Sequence, residues 1–247
     1  MTERSPNLEI EIFLCLSDNY GILLHDKQTG QTVAIDTPDG EEIALQCEKR
    51  GWNLTEIWNT HHHWDHTGGN LFLKEKFDLT ITGPGMIEDR IPGLDRGVGN
   101  GDQFDFAGHK VHVWHTPGHT KDHIVFYVPA ANSVFVGDTL FLMGCGKLFE
   151  GTPAQMRTSL KKLAKLPPET KVYCGHEYTL SNAAFALTVE PENEDLLAAI
   201  KSATLKRERG EPTLPGTIKQ ELATNPFMRA GSDEALGEIR AAKDNFQ

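Results

Sequence analysis

Five side chains able to ligate a metal fall within six consecutive positions: His61, His62, His63, Asp65 and His66, in the run THHHWDH that follows an apolar stretch and precedes Gly68-Gly69. Zinc takes imidazole nitrogen and carboxylate oxygen at about 2.0–2.2 Å, so several ligands must converge on one point. Residues two apart on a helix point to nearly opposite sides. His61 and His63 therefore share an ion only on an extended or turning backbone, such as the end of a strand. Asp65 and His66, a turn further on, can face a second ion, and His62 points away. One run does not complete two coordination shells. His119 in TPGHT, Asp138 in VGDT and His176 in CGHEY each follow an apolar run and lie beside a glycine. Such positions are expected of loops at one edge of a sheet sandwich. Five histidines and two aspartates (His61, His63, His66, His119, His176, Asp65, Asp138) suit two metals with one bridging carboxylate, a catalytic rather than a closed structural arrangement. His25, His109, His112, His115 and His123 are read as ordinary surface or core residues, and the four cysteines as buried thiols.

The elements that must position these groups are legible in outline. Apolar, β-branched runs predict strands at 8–16, 32–36, 54–60, 79–82, 110–115, 123–128, 133–136 and 171–174. A turn at Pro38-Asp39-Gly40 leads into a helix that Gly51 stops. Thr152, Pro153 and Gln155 form a helix start with Met156, Leu160 and Leu163 as its apolar stripe. After about Tyr178 the strand-like runs end and helical patterns with Pro and Gly breaks follow. The expectation is a layered α/β domain over residues 1–176 and a helical domain over residues 177–247.

Composition narrows the partners. The 247 residues are 38% hydrophobic and 24% charged, the proportions of an ordinary globular protein. The net charge of −11 disfavours nucleic acid and anionic lipid. No run approaches the ~20 apolar residues of a membrane helix. The opening segment has early acids and no apolar core, so it does not read as a signal peptide. Four cysteines without CxxC spacing fit a reducing compartment. The expectation is a cytoplasmic monomer without nucleic-acid or membrane partners.

In this order, THHHWDH, TPGHT, VGDT and CGHEY resemble the metallo-β-lactamase superfamily. The resemblance implies an αββα sandwich with a dinuclear site at one edge of its sheets. It puts His61, His63 and His119 on the first metal, Asp65, His66 and His176 on the second, and Asp138 between them. Zinc is the expected metal, and iron and manganese accept the same donors. Further residues resemble the glyoxalase II (hydroxyacylglutathione hydrolase) branch: the run 144–152 around Lys147, Tyr178 two residues after His176, the NPFMR run at 225–229, and Arg240 with Lys243 on one helix face. This similarity extends from about Ser17-Asp18-Asn19-Tyr20 to the C-terminus. It implies hydrolysis of S-D-lactoylglutathione and other 2-hydroxyacylglutathiones to D-lactate, or the matching hydroxy acid, and glutathione, the last step of methylglyoxal detoxification. Lys147, Phe149, Tyr178, Arg240 and Lys243 match the substrate contacts, and Asp65 and Asp138 the catalytic carboxylates. Glutathione carries two carboxylates, for which Lys and Arg are natural partners. The pattern departs at Phe149, where many relatives carry Tyr; the ring can still line the pocket but a phenolic hydrogen bond is lost. Two metals lower the pKa of a shared water so that hydroxide exists near pH 7, and a thiolate of pKa about 8.5 leaves without a dedicated acid.

Three rivals remain open at this point. A lactonase or RNA phosphodiesterase of the same fold is disfavoured by the Arg240/Lys243 helix and the acidic charge respectively. A mononuclear iron persulfide dioxygenase uses a reduced ligand set. A non-catalytic metal or glutathione-binding module would release no thiol.

Overall fold

The computed structural model describes residues 7–246. The first six residues of the opening segment, on which its reading as no signal peptide rests, and residue 247, the outer end of the second expected domain, lie outside the described residues. The chain divides into two compact units, one of residues 1–115 with 124–137 and the other of residues 116–123 with 138–247. These boundaries differ from the expected division at residue 176, because the segments 116–123 and 138–176 pack with the C-terminal part of the chain.

The first unit holds β1 (Leu8–Cys15), β2 (Asn19–Asp26), β3 (Gln31–Ile35), α1 (Gly40–Arg50), β4 (Asn53–Trp58), α2 (Trp64–Thr67), α3 (Asn70–Phe77), β5 (Thr80–Pro84), β6 (Arg96–Val98), β7 (Gln103–Phe106), β8 (His109–His115), β9 (Ile124–Val128) and β10 (Ser133–Gly137). Strands β1 to β6 form one sheet in sequence order, antiparallel up to β3 and parallel beyond. Strands β7 to β10 form an antiparallel ladder. Trp58 joins the two layers, its indole packing on Phe104, Phe106 and Phe126. The opposite face of the first sheet buries Leu23, Ala34, Leu54, Ile57 and Ile81 against Ile43, Cys47 and Leu73 of α1 and α3. Burial on both faces explains why β3 reads as a continuous apolar run rather than an alternating one. The parallel β3–α1–β4 unit sets the site. Asp39 caps α1 by accepting from Glu42 N at 3.0 Å, and Gly51 closes it in the left-handed region at φ 66°. The carboxyl ends of β3 and β4, where α/β sheets place ligands, therefore emerge side by side at Asp36 and residues 59–63.

The second unit holds β11 (Leu140–Phe141), β12 (Gly144–Cys145), α4 (Pro153–Leu163), β13 (Lys171–Cys174), α5 (Thr179–Val189), α6 (Glu194–Glu208), β14 (Gly216–Thr217), α7 (Ile218–Thr224), α8 (Pro226–Arg229) and α9 (Asp233–Asp244). The capping box expected at Thr152 and Gln155 is formed in both directions. Strands β11 and β12 make a tight hairpin.

Candidate metal centre

Residues 59–63 leave β4 through a bend at Thr60 and His61 before α2 begins at Trp64. That path aims alternate imidazoles at one another: His61 Nε2 stands 3.0 Å from His63 Nδ1. His66, one turn into α2, brings Nε2 to 3.6 Å from Asp65 Oδ2. Two donors bound at about 2.1 Å to one cation stand about 3.0–3.6 Å apart over coordination angles of roughly 90–120°. Both pairs have the spacing of metal ligands, not only of hydrogen bonds.

The tautomers are fixed by a residue that sequence reasoning passed over. Asp36 is buried at the end of β3, with Oδ1 accepting from Thr60 N at 2.7 Å and Oδ2 from Thr60 Oγ1 and His66 Nδ1, each at 2.8 Å. Thr60 Oγ1 thus donates to Asp36 and accepts from His61 Nδ1 at 3.0 Å. Both His61 and His66 carry their proton on Nδ1 and turn an Nε2 lone pair outward, which is how outer carboxylates orient metal-binding imidazoles. Asn19, also unassigned from sequence, donates to Asp65 Oδ2 and to its carbonyl, both at 3.1 Å. The signal for Asp36 was its place directly after the apolar run TVAI; for Asn19 it was the SDNY segment.

The second unit holds a matching set. Asp138 follows β10, in the first unit, in the chain, and its Oδ2 lies 3.4 Å from both His119 Nε2 and His176 Nε2. One carboxylate oxygen thus stands at ligand-to-ligand spacing from two imidazole nitrogens. His119 donates Nδ1–H to Lys147 O at 2.8 Å, which leaves Nε2 as the lone pair. His176 stacks on Tyr178 at 4.7 Å, and Phe141 meets both rings edge-on. Gly146 lies so close that an added Cβ would stand 2.0 Å from Asp138 O and 3.0 Å from His119 Nδ1. Gly146→Ala must push Asp138 or His119 aside, and displacement of about 1 Å at a reacting centre can cost ~100-fold. The expected outcome is a folded variant with reduced metal content and activity, checked by elemental analysis and circular dichroism.

Beside this set, Phe141, Tyr178, Lys147, Arg240 and Lys243 line one pocket with Asn182. Phe149 stands beside the lining Lys147, whose ammonium lies over its largely exposed ring, and that ring is edge-on to His119 at 5.3 Å. Lys243 donates to Ser181 O at 3.1 Å, and burial, then Arg240, hold its ammonium below the ordinary lysine range. Arg240 is more deeply placed than its charge suggests: it is 7% exposed, donates to Cys145 O at 2.9 Å and pairs with Asp244.

The histidines read as ordinary have ordinary surroundings. His25 stacks on Trp52, His109 pairs with Asp26, and His123 accepts from Asp138 N through Nε2. His62 contacts the Arg90 guanidinium. The cysteines are buried, and burial pushes Cys15 up to about 12 and Cys47 and Cys145 up to about 11.

Comparison with known proteins agrees with this chemistry. The family model for the metallo-beta-lactamase superfamily matches residues 27–176, and that for the hydroxyacylglutathione hydrolase C-terminus matches residues 177–246. A curated hydroxyacylglutathione hydrolase of Rhizobium meliloti is 50% identical over 253 residues, covering 97% of this chain and 99% of the relative. One from Erythrobacter litoralis is 49% identical over 251 residues, covering 97% and 100%. The crystal structure of ETHE1 from Myxococcus xanthus superposes with a TM-score of 0.74 at 26% identity, covering 97% of this chain and 92% of that one.

Proposed function

The chain belongs to the hydroxyacylglutathione hydrolases of the metallo-β-lactamase superfamily, and on that premise we propose how its residues divide the hydrolysis of a glutathione thioester. Its substrates are S-D-lactoylglutathione and related 2-hydroxyacylglutathiones, and its products are the hydroxy acid and glutathione. Such a reaction closes methylglyoxal detoxification. In this reading residues 1–176 supply the metal chemistry and residues 177–247 much of the glutathione recognition.

The donor set fits divalent cations. His61, His63 and His119 would hold one, Asp65, His66 and His176 the other, and Asp138 would bridge them. Zinc is our assignment, with iron and manganese as alternatives the same nitrogen and oxygen donors accept. When bound, such a pair lowers the pKa of water toward neutrality and polarises a carbonyl. The remaining work falls to the chain. Asp36 and Thr60 hold the His61 and His66 protons on Nδ1. Asn19 orients Asp65. Lys147 and Lys243 offer ammonium groups to the glutathione carboxylates, and Arg240 backs them from its buried position. Tyr178 lines the same pocket and stacks on His176. A thiol of pKa about 8.5 departs as thiolate, so no side chain need protonate it.

The observation that carries the proposal is Asp138 Oδ2 at 3.4 Å from two histidine nitrogens. The test is thiol release from S-D-lactoylglutathione beside a plain lactone, with elemental analysis and oxygen uptake. Thiol release, two metals per chain and no oxygen uptake are expected. Lactone turnover alone, or oxygen consumption with one iron, would overturn it. The acidic charge argues for a small-molecule partner, and among the described residues no helix is long and apolar enough to cross a membrane. A cytoplasmic monomer completes the reading.

Phe149 offers a separate check. Restoring the phenol by Phe149→Tyr adds a hydrogen bond worth about 0.5–1.5 kcal/mol. KM for lactoylglutathione is expected to fall roughly two- to tenfold with kcat little changed, measured by initial rates.

A further inference from the structure

The NPFMR run has no place in the chemistry above, yet Asn225 is completely buried, and so is Glu221 one turn before it on α7. Asn225 Nδ2 donates to Gly144 O and Glu221 Oε2, each at 2.9 Å, and to Phe141 O at 3.2 Å. Glu221 Oε2 also accepts from Met143 N at 2.8 Å. All these backbone groups belong to the β11–β12 hairpin. Its strands pair only Leu140 with Cys145 and Phe141 with Gly144, and its turn holds Met143 at φ 58°. A ladder this short is not stable alone, and a side-chain-bearing residue in the left-handed region persists only where its surroundings fix it.

What the hairpin presents is the substrate pocket. Phe141 sets its ring against His176 and Tyr178, Cys145 O takes the Arg240 guanidinium, and the exit strand runs on to Lys147, whose carbonyl takes the His119 proton. Resting on the hydrolase reading above, we propose that Glu221 and Asn225 are positioning residues: they latch the hairpin so that Lys147, Phe141 and Arg240 stand in register for the glutathione part of the substrate. Neither residue touches substrate or reacting atoms.

Burial raises the Glu221 carboxyl to about 7, and the groups that face it are neutral: Asn225 on its own helix end, the Met143 amide, and Gly216 with Leu142 alongside. Between pH 4.5, the unperturbed value, and about 7 the folded chain keeps a proton that the unfolded chain releases. Stability therefore falls as pH rises through that window. Glu221→Gln keeps the size and the acceptor and removes the titration.

The test compares two thioesters, S-D-lactoylglutathione and S-lactoylcysteamine, which lacks the peptide arms. Asn225 Oδ1 also caps α8 by accepting from Phe227 N at 3.0 Å. Asn225→Ser keeps a capping oxygen but loses every Nδ2 bond. The expected result is a KM for lactoylglutathione raised at least tenfold, kcat within threefold, and unchanged kcat/KM on the cysteamine thioester. Glu221→Ala behaves likewise. Glu221→Gln restores the parent KM and flattens the fall of Tm across the window. KM within twofold of the parent in Asn225→Ser, equal losses on both thioesters, or loss of the fold in all three variants would overturn the proposal, because the pair would then be a general stabiliser or inert. Absence of thiol release by the parent chain would instead defeat the functional reading and this inference with it.

Discussion

Asp138→Ala is expected to lose bound metal and thioester hydrolysis in one step. Asp138 Oδ2 stands 3.4 Å from both His119 Nε2 and His176 Nε2. Its removal takes away the ligand that would serve two ions at once, together with a negative charge that balances them. Elemental analysis should show well under half the metal of the parent, and activity should fall by roughly a thousandfold or more, since metal activation of water supplies the nucleophile. Asp138→Asn, of equal size, should do nearly the same and excludes a cavity as the cause. Turnover within tenfold of the parent in either variant would contradict the bridging role. Melting curves of the metal-free chains provide the control, because removing a buried carboxylate that has no cation to balance it should not lower Tm.

The second large effect is expected from Asp36→Asn, which touches no proposed metal ligand except through a hydrogen bond. The backbone there lies in the left-handed region at φ 59°, which Asn tolerates well. The Asn carbonyl can keep the bond from Thr60 N. Its amide NH2 would face His66 Nδ1 and Thr60 Oγ1, where donors already point. The His66 proton must then move to Nε2, the nitrogen turned toward Asp65, and the lone pair is lost from the metal side. Loss of such an outer partner typically weakens metal binding by about 10–100-fold. Titration of the metal-free chain should show that loss, and excess metal should restore most of kcat. An unchanged metal affinity would mean that Asp36 serves only the backbone.

The candidate ligands stand out in the sequence because coordination would compress them: histidines one or two residues apart on a strand end have little structural reason to be there. It made the sheets legible wherever β-branched runs met a turn, and each predicted strand lies within two residues of its expected ends. Strand β2 was missed because Gly21 interrupts it; its missing side chain makes room for the Phe13 ring, which a Cβ would meet at 2.3 Å. Helix α5 lies in the expected helical region but was not delimited, because TLSNAAFALTV has no polar stripe and begins at Tyr178 with no side-chain cap. Asp36 was invisible because a lone aspartate after a strand is the ordinary mark of a turn. Arg240 was visible as a charge, but a pattern of residue types does not say that its guanidinium is turned inward onto Cys145 O.

The four buried, weakly acidic thiols have a consequence for an enzyme of this class. Its product is glutathione, and the pathway it would close begins with an electrophilic aldehyde. Thiolate is the form that is alkylated or exchanges with disulfides. Cys145 borders the pocket from which a thiolate would depart, yet burial pushes its own thiol up to about 11. The described cysteines therefore offer little thiolate to the thiol and the electrophile that such a pathway handles.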